Sequence, residues 1–127
     1  MTRNLIRLFY KNQNGKFMKE KKNYMTQNCK KILDLPLKKE WYDMIESGVK
    51  TEEYREIKPY WCKRLLDGYE DMCTSYKPFT HVRFHCGYTN RTMLREIESM
   101  RLGYGKPEWG APKGTRVFII KLRKVKQ

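Results

Sequence analysis

The chain contains no apolar run approaching the ~20 residues that a membrane helix needs, so no membrane partner is expected. Its first residues lack the apolar segment and small-residue cleavage site of a secretory signal, which predicts a cytoplasmic protein. Histidine is limited to His81 and His85. No pair among Cys29, Cys62, Cys73 and Cys86 has a C-x-x-C spacing. An even cysteine count without a signal points to reduced thiols. His81, His85 and Cys86 lie together, but in a segment that alternates like a strand. His81 and His85 would then stand about 13 Å apart along one face, with His85 and Cys86 on opposite faces. No metal and no cofactor is therefore expected. Acidic residues are also scarce, with 14 Asp and Glu against 28 Lys and Arg, a net charge of +14.

What is present is enough for one ordinary domain. The 127 residues are 39% hydrophobic, 33% charged and 13% aromatic, with a mean hydropathy of −0.87. A chain of this length buries roughly two-thirds of its unfolded surface. The charge is uneven. Residues 1–31 carry nine basic residues and one acidic residue, a net of +8, and the remainder carries +6. Residues 1–29 read as a basic, flexible N-terminal extension and 30–127 as the folded domain. The extension has one apolar patch around Leu5–Tyr10 and a turn signal at Asn14-Gly15. Met18 and Met25 are alternative starts. Polyanions suit such a field, nucleic acid before anionic membrane. A solubilising charge excess is the plainer alternative.

Lys31–Leu37 reads as a short strand ended by Pro36. Trp41, Met44 and Ile45 then recur at helical spacing between Lys38 and Ser47, with Gly48 placed to stop the helix. Thr51–Ile57 fits strand or helix. Pro59 opens a second helix, with Trp61, Leu65 and Leu66 on one face. Phe79–Cys86 alternates as a strand. Met93, Leu94, Ile97 and Met100 fit a helix by spacing alone. Residues 103–114 are rich in Gly and Pro and read as a loop. Val117–Val125 is the clearest strand.

The segment Gly48–Arg55 (GVKTEEYR) concentrates the chemistry. Lys50 falls at an element boundary, where polar side chains reach ligands. If 51–57 is a strand, Glu53 and Arg55 share a face and Tyr54 lies opposite. Such a group can hold a base edge or a phosphate. It can equally form a surface ion pair worth ~0–1 kcal/mol.

The spacing G-x-K-x-x-E-x-R, carried by Gly48, Lys50, Glu53 and Arg55, resembles the signature of the ASCH domain family. Trp41–Ile45 before it, Arg83–Tyr88 and Gly103–Gly110 after it, and the closing Val117–Leu122 are similar to elements of phage- and bacterial-type ASCH proteins. The resemblance spans about 31–125. It implies an α+β fold, a PUA-like, small, mixed and mostly antiparallel β-barrel with two helices, in which Met93–Leu102 is a strand. It also implies RNA or nucleotide binding beside the signature, at Lys50, Glu53 and Arg55. Some small ASCH proteins are amidohydrolases acting on acylated cytidine through a lysine, a threonine three residues later and a distant glutamate. Lys50 matches that lysine and is the catalytic candidate if the chain is an enzyme. Glu53 stands at the threonine position, which removes the hydroxyl nucleophile, and Thr51 is not equivalent. Other members are described as ribonucleases.

Tyr54, Tyr88 and Trp109 are the aromatics assigned to ligand stacking, with Tyr60, Trp61 and Tyr104 as further candidates. Trp41, Trp61, Phe79, Phe84 and Phe118 read mainly as core. Trp109 either plugs the barrel end or faces a ligand. Lys121 and Arg123 share a face of the last strand, as a solvated strand end or a phosphate-tracking stripe. Three function classes stay open: RNA or nucleotide binding, hydrolysis of RNA or a modified nucleoside, and a protein-interaction module of a phage or mobile element. No particular protein partner is indicated. In the binding reading, Lys50 and Arg55 face solvent in an open cleft.

Overall fold

The computed structural model describes residues 9–11, 17–19, 29–68 and 75–125. The chain divides into two units, Met1–Lys30 and Lys31–Gln127. In the first, β1 (Phe9–Lys11) pairs antiparallel with β2 (Phe17–Lys19). The expected flexible extension otherwise lies outside the described residues.

The second unit runs β3 (Ile32–Leu37), α1 (Lys39–Glu46), β4 (Glu52–Glu56), α2 (Pro59–Leu65), β5 (Leu66–Asp67), β6 (Ser75–Tyr76), β7 (His81–Cys86), β8 (Thr92–Tyr104) and β9 (Arg116–Leu122). Pro107–Trp109 forms one 3₁₀ turn between the last two strands. β5 and β6 pair with each other. The other five strands form one sheet in the order β3-β7-β8-β9-β4. β3 is parallel to β7 and every other pair is antiparallel. With two helices against it, this strongly curled sheet is an α+β half-barrel.

Alternation builds the main core. Leu33, Leu35 and Leu37 of β3 turn inward, as do Val82, Phe84 and Cys86 of β7 and Phe118, Ile120 and Leu122 of β9. Tyr42 and Ile45 of α1 and Cys62 and Leu65 of α2 cover them. Each fully buried Leu, Ile or Phe contributes roughly 1.5–3 kcal/mol. β9 is buried on its other face too, where Val117 and Ile119 meet Tyr54 and Ala111. A strand covered on both sides reads as a continuous apolar run, which is why VFII is so plain in the sequence.

The expected small barrel is present as a half-barrel. β3 and β4 are the two edges of the sheet and do not pair. Pro36 lies on edge strand β3 and lacks the N–H that a further ladder would use. In place of a ladder, Arg55 of β4 reaches across and donates from NH2 to the Pro36 carbonyl at 3.0 Å.

Candidate site at the open seam

The site begins where α1 stops. Gly48 adopts φ +87°, a left-handed conformation that suits glycine. Its N–H bonds to the Ile45 carbonyl, and the Lys50 N–H bonds to the Met44 carbonyl. This reversal sends the Lys50 side chain inward. Lys50 is 1% exposed, not solvent-facing as its position at an element boundary predicts. Its Nζ donates to Glu53 Oε1 at 2.8 Å, to the Glu52 carbonyl at 2.8 Å and to the Trp109 carbonyl at 2.9 Å. An ammonium has three donors, and all three are used. The rings of Tyr54 and Trp41 lie 4.9 and 5.5 Å from Nζ and add cation–π attraction. Burial pushes the ammonium below the ordinary lysine range, with the Glu53 carboxylate opposing it.

Glu53, 5% exposed, links this buried cation to a second one. Its Oε1 takes Lys50, and its Oε2 takes Arg55 NH1. Arg55 NH1 also donates to the Tyr54 carbonyl, and its guanidinium lies 5.1 Å from the Trp61 ring. Three of the five guanidinium N–H groups are thereby placed on protein acceptors. The remaining two have no acceptor among the described residues. Glu53 and Arg55 share a face of β4 and Tyr54 lies opposite, as the strand reading requires.

Beside this chain of charges the seam forms a cleft of about 380 Å³, within the range of small-ligand sites. Pro36 and Leu37 form its β3 edge, and Glu53 to Glu56 its β4 edge. Trp41, Trp61 and Trp109 also line it, and these are all three tryptophans of the protein. Lys38, exposed and without an ionic partner among the described residues, completes the rim. Lys50 is not among the lining residues. The predicted group is thus brought together in part: Glu53, Arg55, Tyr54 and Trp109 meet at one cleft, with Lys50 behind it. Tyr88 is elsewhere, fully exposed in the β7–β8 turn. Trp61, a further stacking candidate that also reads as core, does line the cleft, whereas Trp41 and Lys38 are lining residues that the sequence does not single out, since helical spacing places Trp41 on an apolar face. The half-burial of both tryptophans is what lets them serve core and cleft together.

The Gly/Pro loop shapes the far wall. A Cβ on Gly105 would lie 2.5 Å from Tyr54 Cε1, so only glycine lets the backbone pass there. Gly110, at φ +100°, lies against the Trp41 ring. Trp109 both packs on the second core and lines the cleft, with Lys106 Nζ 4.2 Å from its ring.

Tyr54 is held from both ends. Its hydroxyl donates to Glu52 Oε1 at 2.8 Å and accepts from the Lys106 N–H at 3.1 Å. Burial raises its pKa well above the ordinary phenol value. The folded protein then keeps this proton where the unfolded chain has released it. The stabilisation is complete below about pH 10 and is lost as pH rises further. Tyr54→Phe is expected to cost about 1–2 kcal/mol at neutral pH. Denaturant unfolding across pH should show the deficit shrinking above about pH 10.

Other polar residues singled out in the sequence are paired within the protein. Lys121 meets Glu98 at 3.1 Å and Arg123 meets Glu96 at 2.8 Å, as at a solvated strand end. His85 Nε2 lies 2.8 Å from Asp34 Oδ1, while Cys86 is buried on the opposite face. No group of His, Cys, Asp and Glu among the described residues is arranged to hold a metal. No family model, curated protein or solved structure matches this chain.

Proposed function

We propose that this protein is a PUA-like, ASCH-type module that binds RNA or a nucleotide in the seam cleft, in the cytoplasm. The observation that carries this reading is the convergence of all three tryptophans on one cleft that also presents Arg55 and Lys38. An indole face takes any base, at about 1–3 kcal/mol per stacked base. Arg55 has two unused N–H groups pointing to a phosphate or base-edge role, and Lys38 adds a point charge. Glu53 and Lys50 hold Arg55 from behind. Hydrolysis is the second reading, in which Lys50 would move a proton. All three Lys50 donors are engaged and Glu53 replaces the family's hydroxyl, so binding is favoured.

Because the three tryptophans line the cleft, intrinsic fluorescence reports occupancy directly. Titration with uridine monophosphate and with short single-stranded RNA should quench it saturably. Lys38→Ala should weaken binding by about 1–3 kcal/mol and leave the melting temperature unchanged, since Lys38 has no ionic partner among the described residues. Mass spectrometry of the incubated RNA and of acetylated cytidine should show no product. Unchanged fluorescence at saturating ligand would exclude the cleft as the site.

A further inference from the structure

We infer that a second nucleic-acid contact lies on the other side of α2, so that the ligand of the seam cleft is an oligonucleotide and not a single nucleotide. The inference rests on the cleft reading above and extends it. Tyr60, Lys63, Arg64, Lys77 and Phe79 enclose a second, more open depression of about 480 Å³. It has the composition of a single-strand platform: two aromatic rings among three cations, with no carboxylate among the described residues of its lining.

Arg64 and Lys77 are positioned by main-chain contacts. Arg64 uses NH2 to bond the Asp34 carbonyl at 2.8 Å, and Lys77 Nζ bonds the Lys63 carbonyl at 2.8 Å. Both acceptors are neutral main-chain oxygens. Neither Arg64 nor Lys77 has an acidic partner among the described residues. By contrast, Arg91, Lys121 and Arg123 on the same unit are all salt-bridged. Tyr60 is largely exposed.

The two depressions are joined through α2. Trp61 lines the seam cleft and the preceding Tyr60 lines the second depression. Their rings meet edge to face, with centroids 4.8 Å apart. Pro59 fixes the first turn of the helix and therefore the placement of both rings. A single strand with one base among the tryptophans can continue over this pair and set its next phosphates against Arg64 and Lys77.

The test compares uridine monophosphate with a short oligouridylate on the full-length protein and on an Arg64→Gln/Lys77→Gln variant. The wild type should bind the oligomer roughly a hundredfold tighter than the monomer, as linked contacts do. The variant should keep its affinity for the monomer and lose most of that gain. Its log–log salt slope for the oligomer should be shallower by about 0.7 for each cation removed. A melt of the variant close to that of the wild type confirms that the fold is intact. A length gain that survives in the variant, or monomer binding without any length gain, would overturn the second contact and leave the seam cleft standing. Failure of the wild type to bind either probe would remove the cleft reading, and this inference with it.

Discussion

Lys50→Met should lower the unfolding free energy by about 3–5 kcal/mol, the cost of breaking a buried ion pair from one side. For a unit of this size that is a fall in melting temperature of more than about 10 °C. The residue is of similar length and fills the same space, so the loss comes from charge and hydrogen bonds. Glu53 loses one of its two cations, and the Glu52 and Trp109 carbonyls lose their shared donor. An exposed lysine would show almost none of this. Nucleotide affinity should remain near the wild-type value at a temperature where the variant is folded, because Arg55 keeps Glu53, Pro36 and Tyr54 as partners. Chemical unfolding beside fluorescence titration separates the two effects.

Glu53→Gln should cost about 3 kcal/mol or more in stability and, unlike Lys50→Met, should also weaken binding. Glutamine keeps the shape but removes the negative charge and replaces one of the two accepting oxygens with an NH2 donor, which faces a cation's donors. Without the negative charge, a fully buried ammonium faces a half-buried guanidinium with no counter-charge between them. Arg55 is then driven out of the position from which it spans the seam. In the double variant Lys50→Met/Glu53→Gln, one of the two repelling cations is gone. Its loss of stability should be smaller than the sum of the single losses by about 0.5–3 kcal/mol, the usual range for residues in contact. Full additivity would mean that the two side chains do not act as a pair.

Much of the architecture is legible in the residues, and the exceptions have physical causes. The helices follow from Pro59, Gly48 and the spacing of Trp41, Met44 and Ile45. β9 follows from its unbroken apolar run. Met93–Leu102 imitates a helix because β8 changes register between Ile97 and Ser99. That irregularity advances the inward row from Ile97 to Met100, three residues instead of two. Arg95 also sits in the inward row and hides the alternation; its NH1 bonds to the Ile45 carbonyl. The open seam is written only as Pro36, whose consequence depends on which strands become edges.

The G-x-K-x-x-E-x-R spacing does locate the site, but not the division of labour within it. Lys50 reads as exposed because lysines usually are. Its burial depends on the Trp109 carbonyl, 59 residues away, and on rings from α1 and β4. No local pattern reports such a partner. Trp41 and Trp61 are similarly ambiguous, since an apolar helix face is the same signal whether it meets a core or the rim of a cleft. Tyr88, a candidate because an aromatic ring can stack a base, does not line the seam cleft.

The distinction between a buried Lys50 that supports Arg55 and a rim Lys38 open to ligand can be measured without knowing the ligand. Brief acetylation of the native protein, followed by peptide mass spectrometry, reads the accessibility of each amine. Lys38 should be modified rapidly, and Lys50 only when the protein is unfolded by denaturant. Native-state modification of Lys50 at the rate of Lys38 would contradict the assignment and return Lys50 to the ligand-facing surface.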